Sequence, residues 1–127
     1  MRLRRLPATA FLAFAIAAGC QGAEAAPAPP IPPGAVHVMA DGMAFTTTEV
    51  RAPAGRPFTL AFENREGPPH NVHLHDAAGT TVFQGEVLSG PALRLAEVPA
   101  LAPATYGFIC DVHPDMTGHL LATEEGS

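Results

Sequence analysis

The chain contains no tryptophan, no lysine and a single tyrosine, and it has only two cysteines. Without Trp and with one Tyr, a core has to be filled by Phe, Leu, Val and Ala, which keeps it modest in size. The missing lysines leave seven arginines against twelve carboxylates, a formal charge of −5 with His neutral. That balance argues against nucleic acid or an anionic membrane surface as a partner. A disulfide between Cys20 and Cys110 would tie an N-terminal tail to a loop near the other end of the chain, so no disulfide framework is expected. The one apolar run of the N-terminus, residues 11–18, is too short for a comfortable membrane span. Beyond residue 34 there is neither a helical periodicity of useful length nor an internal repeat.

What is present begins with an address. Arg2, Arg4 and Arg5 precede the apolar run, so residues 1–20 read as a signal peptide and the protein as exported. The segment closes on Ala17-Ala18-Gly19-Cys20, a lipobox pattern in which Cys20 is acylated and becomes the new N-terminus, although Ala17 stands where Leu is usual. Cleavage after Ala23-Glu24-Ala25 is the rival, and would discard Cys20. The first reading places the protein in the periplasm or on the outer face of the cell membrane, touching the membrane only through a lipid on Cys20. Removing residues 1–19 leaves four arginines against twelve acids, a formal −8. This charge would steer in a basic protein surface at low salt, and it also keeps an exported protein soluble. Residues 21–34 form a Pro/Ala-rich linker that cannot pack a core. Its last dozen residues, extended at ~3.1 Å each, would hold a domain ~35 Å from an anchor.

Residues 35–127 read as one all-β domain. Phe58, Leu60 and Phe62 alternate with Thr59, Ala61 and Glu63, which predicts a strand with the first set inward and the second outward. Val36 and Val38 start an earlier strand, Pro53-Ala54-Gly55 is a turn, and Val72 and Leu74 continue a strand that starts at His70. Asp76-Ala77-Ala78-Gly79 reads as a hairpin turn into Thr81-Val82-Phe83. Leu93 and Leu95 mark another strand, Tyr106, Phe108 and Cys110 alternate on the penultimate one, and residues 120–123 complete the last. Seven or eight strands at this spacing predict a Greek-key sandwich of two sheets.

The chemistry lies in Cys110-Asp111-Val112-His113-Pro114-Asp115-Met116, where a thiol, an imidazole and a thioether follow one another at three-residue intervals. Forty residues upstream, Pro69-His70-Asn71-Val72 offers a second imidazole. A thiolate with two imidazoles and a weak axial thioether suits copper in both of its oxidation states; zinc rarely takes Met. The candidate ligands are therefore His70, Cys110, His113 and Met116, for one type 1 copper per chain. A metal also accounts for a lone thiol in an oxidising compartment. His73, His75 and His37 read as surface strand residues and Met39 and Met43 as core; nothing assigns His119.

At these residues the chain resembles the cupredoxins, the type 1 blue copper family, and within it the amicyanin-like and plastocyanin-like members. The pattern shared with the amicyanin-like members is Cys-x-x-His-x-x-Met with Pro114 after the second His, together with Pro-His-Asn-Val-His at residues 69–73; the plastocyanin-like members share the plan with a longer spacing to the Met. It extends through Thr105-Tyr106-Gly107-Phe108 and Gly118-His119-Leu120-Leu121, over roughly residues 35 to 123. The resemblance implies a cupredoxin-like sandwich and a single-electron carrier cycling between Cu(II) and Cu(I), not an enzyme. It implies a monomer whose partners are redox proteins, a cytochrome, an oxidase or a dehydrogenase. The alternative is a periplasmic protein that scavenges or delivers copper, with His73, His75 and the Met residues as auxiliary donors. By the same resemblance, Asn71 ties its segment to the residue after the Cys, usually Ser or Thr and here Asp111. An ionised Asp accepts from the Asn71 amide, and its charge should favour Cu(II). Asp115 replaces a bulky apolar residue beside the edge of His113, the expected exit for the electron.

Overall fold

Strands account for all the regular structure in residues 27–124, the part of the chain described by the computed structural model. Nine are found there: β1 (Val36–Asp41), β2 (Ala44–Phe45), β3 (Glu49–Pro53), β4 (Phe58–Asn64), β5 (His73–His75), β6 (Thr81–Gln84), β7 (Ala92–Val98), β8 (Ala104–Ile109) and β9 (Thr117–Thr123). They form two mixed sheets, one in the order β2-β1-β4-β7 and the other β3-β9-β8-β5-β6. The pairs β1/β4 and β3/β9 are parallel and the remaining pairs antiparallel. The signal segment, Cys20 and the first residues of the linker lie outside the described residues.

The period-two pattern explains which side chains meet between the sheets. Val36, Val38 and Ala40 turn inward from β1, Leu60 and Phe62 from β4, and Leu74, Phe108 and Leu120 from the facing sheet. Phe45 meets Phe108 edge to face, with ring centroids 5.0 Å apart, a contact that adds to simple burial. The single tyrosine, Tyr106, is buried, and its hydroxyl donates to the carbonyl of Ala102 at 2.8 Å. This tyrosine corner pins the connection that enters β8.

Three expectations need correction. The count is nine strands, not seven or eight, because β2 is only two residues long and shows no alternation to read. Ala61 lies on the face of β4 opposite Phe62, yet it is fully buried. Strand β4 is central in its sheet, and Ala61 sits between His37 and Leu95, whose larger side chains share its face. Finally, β5 begins at His73, so His70 is not held by a strand.

Close packing at the end of the sandwich that carries the loop from Cys110 to Met116 is visible at Gly118. A Cβ there would run into the ring of Phe108. Replacing Gly118 by Ala should therefore overpack the core and cost about 1–3 kcal/mol. Leu74→Ala, at a fully buried position, should cost about 2–5 kcal/mol. Urea unfolding of the metal-free protein measures both; losses below about 0.5 kcal/mol would contradict this packing.

Candidate metal centre

Strand β8 ends at Ile109, and the chain doubles back through residues 110–116 before β9 starts. Two backbone hydrogen bonds close this loop: the Cys110 N–H donates to the Met116 carbonyl at 3.1 Å, and the Met116 N–H donates to the His113 carbonyl at 2.9 Å. Pro114, with its restricted φ and no N–H, stiffens the turn between them. The thiol of Cys110 and the side chain of Met116 are buried, while His113 is half-buried.

His70 comes from the other side. Its backbone exchanges two hydrogen bonds with Leu88, at 3.1 and 2.8 Å, in an isolated bridge rather than a strand. The ring is fully buried, with Nδ1 3.8 Å from Cys110 Sγ and 3.0 Å from His113 Nδ1. His113 Nδ1 is 3.9 Å from the same sulfur. Sides of 3.0, 3.8 and 3.9 Å put the centre of the triangle about 2.1 Å from each corner, within reach of metal–nitrogen bonds of ~2.0–2.1 Å and metal–sulfur bonds of ~2.3 Å. Three of the four residues singled out in the sequence thus converge; the fourth, Met116, is buried at the end of the same loop.

The donor chemistry fits an ion at that centre. His70 Nε2 lies 2.8 Å from Glu66 Oε1. A neutral imidazole that donates from Nε2 to a carboxylate keeps a lone pair on Nδ1. That lone pair faces the Nδ1 of His113 at 3.0 Å, a pairing that a cation between them satisfies.

Glu66 was not singled out by the sequence, and it organises this side of the centre. The same Oε1 that meets His70 accepts the Met43 N–H at 2.8 Å. That amide, with a smaller contribution from His70, holds the Glu66 carboxyl below the usual range. Met43 is not core but 46% exposed, and it adopts φ 60 beside Gly42 at φ 65. Two positive φ values make the two-residue hairpin turn that joins β1 to β2. Glu66 is itself placed by Asn64, whose Oδ1 accepts the Glu66 N–H at 3.0 Å and whose Nδ2 donates to the carbonyls of Pro68 and Leu88, both at 2.8 Å. The only signal for Glu66 in the sequence is its place four residues before His70, which means little outside a helix.

On the other side, Asn71 and Asp111 bind each other twice. The Asp111 N–H donates to Asn71 Oδ1 at 2.8 Å, and Asn71 Nδ2 donates to Asp111 Oδ2 at 2.8 Å. The link expected between the two segments is present, with Asp111 as acceptor. His73 Nδ1 lies 2.8 Å from the other carboxylate oxygen, and Gln84 Nε2 donates to Oδ2 at 3.0 Å. Asn71 first, then His73, and to a lesser extent Gln84 bring the Asp111 carboxyl down to about 2. His73 is therefore more than a surface strand residue: its Nε2 also meets the Thr81 hydroxyl at 2.7 Å, so it bridges β6 to the loop. His37 is half-buried and paired with Glu63 at 2.9 Å. His75 is half-buried, His119 is exposed, and neither approaches the triangle.

With this geometry in view, comparison with known proteins is direct. Residues 8–122 match the family model of the Cupredoxin-like domain. Amicyanin-alpha of Methylorubrum extorquens is 33% identical over 117 residues, which cover 90% of this chain and 93% of that protein. Among solved structures, amicyanin from Paracoccus versutus superposes with a TM-score of 0.58 at 27% identity, over 73% of this chain and 85% of its own. Reduced auracyanin from Roseiflexus castenholzii shares the fold, with a TM-score of 0.62 at 17% identity over 71% of this chain and 97% of its own. A two-sheet sandwich that closes two imidazoles on a buried thiol, matched over most of its length by these relatives, belongs to the cupredoxin-like family.

Proposed function

We propose that this chain is an exported carrier of single electrons, in which His70, Cys110, His113 and Met116 would hold one type 1 copper. The observation that carries this reading is the triangle of two imidazole nitrogens and one thiol sulfur, formed by side chains that the fold already holds in place. Copper supplies the Cu(II)/Cu(I) couple when bound. The protein supplies a nearly fixed donor set, so little has to move when an electron arrives or leaves. Cys110 serves as thiolate, His70 is oriented by Glu66, and the half-buried ring of His113 provides the edge nearest solvent. Full burial of His70 and Cys110 favours retention of the metal over its delivery to another protein.

The surface around His113 suits a redox partner. Val112, 42% exposed, offers an apolar contact beside the ring, and Asp115 is exposed on the same loop. With Asp111 this makes an acidic rim that fits a basic docking surface. Export through residues 1–20, a lipid on Cys20 and a spacer through residue 34 belong to the same proposal, with the domain working at the outer face of the membrane. Mass spectrometry of the protein purified from membranes should find Cys20 acylated at the N-terminus; a chain beginning at Ala26 would refute the anchor.

Copper loading tests the centre itself. Cu(II) bound by the native protein should give an intense thiolate-to-copper absorption, a narrow copper hyperfine splitting and reversible bleaching on reduction. Cys110→Ser should abolish the strong band; its retention in that variant would sink the assignment.

Asp111 tunes the centre through its charge. At roughly 8–10 Å and an effective dielectric of ~20, one negative charge favours Cu(II) by about 2 kcal/mol. The side chain is 34% exposed, so screening should reduce that to about 1 kcal/mol. Asp111→Asn should accordingly raise the reduction potential, measured by protein-film voltammetry near neutral pH; an unchanged or lower potential would contradict the role. A stability consequence has a definite sign. A carboxyl lowered from 3.8 to about 2 in the folded chain stabilises fully above the higher value and loses that contribution as pH falls through the lower. For metal-free protein, the urea-midpoint advantage of Asp111 over Asn should shrink as pH falls from the upper value through the lower one. A constant difference across that window would contradict the linkage.

A further inference from the structure

The outer face of the five-stranded sheet carries a row of residues that the copper centre does not use. Register sets His75 of β5 opposite Gly107 of β8, Gly107 opposite His119 of β9, and His119 opposite Glu49 of β3. Residues directly opposite one another project to one face. The buried neighbours Leu74, Gly118 and Leu120 fix it as the face turned away from the core. Across the sheet the row therefore reads imidazole, no side chain, imidazole, carboxylate.

The gap at Gly107 is used. The ring of His75 lies over it, so that a Cβ on Gly107 would stand 2.7 Å from Nε2 and nearer still to Cε1. The imidazole thus leans across β8 toward β9. Its Nδ1 is 3.2 Å from the carbonyl oxygen of Asp76. Donation to that oxygen places the proton on Nδ1 and leaves the lone pair on Nε2, the atom above the glycine. His119 is exposed and makes no side-chain hydrogen bond among the described residues. Strands are ~4.8 Å apart, so the two backbones are separated by about 10 Å. With the His75 ring already over the bare glycine, rotation of the exposed His119 side chain can close that span on an ion bound at ~2.0–2.1 Å from each nitrogen.

We propose that His75 and His119, facing each other across Gly107, form a second, surface site for a divalent late transition metal, Zn(II) or Cu(II), with Glu49 next in the row as an oxygen donor. Imidazole nitrogen suits these ions, and among them Cu(II) binds most strongly. The site shares none of the four residues assigned to the type 1 centre. It lies about 10 Å along β8 from Cys110, three residues away, so it stands or falls separately from the electron-carrier reading.

The test uses mature protein whose type 1 centre is already filled with one equivalent of copper. Calorimetric titration with Zn(II) should show one further equivalent bound. A second equivalent of Cu(II) should add an EPR signal with ordinary, wide hyperfine splitting beside the narrow one. His75→Gln and His119→Gln should each weaken this binding at least about tenfold. Gly107→Ala, which displaces the His75 ring, should do the same, whereas His37→Gln on the other sheet should leave it unchanged. Retention of the blue band reports that each variant is folded, and should Gly107→Ala fail to fold, the histidine variants decide. Absence of a further equivalent in the native protein, or binding within twofold of native after loss of both histidines, would overturn the proposal.

Discussion

A fully buried imidazole with both of its ring nitrogens engaged is the constraint on which this structure turns. His70 has no solvent to satisfy it, and an unpaired polar group in that position would cost on the order of 1–3 kcal/mol. One nitrogen is answered by Glu66; the other faces Cys110 and His113. Holding it there requires two segments forty residues apart to meet at the end of a sandwich. The two hydrogen bonds between Asn71 and Asp111 join those segments, and the backbone bridge to Leu88 fixes the His70 segment itself.

The polar groups around the centre form a supporting shell whose members are themselves supported. Asn64 and Asn71 are buried, and among the described residues no buried side-chain nitrogen or oxygen lacks a partner. Such a shell fixes the orientation of the donors before any metal arrives, because each ring or carboxylate would have to lose a specific bond to turn away. It also sets the sign of the local field. Two carboxylates, Glu66 and Asp111, flank the donor set and both are held ionised by the groups that donate to them. An electron carrier built this way is biased toward its oxidised form, and the chemistry of electron transfer is left to the metal and the partner.

The ligand loop was legible because it is local: seven consecutive residues contain the thiol, the imidazole and the thioether, and their spacing alone restricts the metal. His70 was less legible: the chemistry of the loop calls for a second imidazole and the resemblance of its flanking residues supports His70, but no periodicity announces a contact across forty positions. Strands with clear alternation, such as those at Phe58 and Tyr106, were legible for the same local reason. The residues that remained hidden act over distance. Glu66 belongs to a loop with two prolines after it, and its value lies in reaching both Met43 and His70. His73 looked like a surface position because its neighbours alternate, yet its partner Asp111 comes from another strand connection. The extent of β5 was overestimated because an apolar residue beside His70 looks the same in a strand as in a bridge.

The central claim is that the fold positions the donors in advance. Crystal structures of the metal-free, Cu(II) and Cu(I) proteins at high resolution test it most directly. The account predicts that the His70 Nδ1, His113 Nδ1 and Cys110 Sγ triangle changes its sides by no more than a few tenths of an ångström among the three, with the Glu66–His70 and Asn71–Asp111 bonds intact. A metal-free structure in which His70 turns out of its pocket or the loop from Cys110 to Met116 opens would show instead that copper builds the site, and would contradict the account.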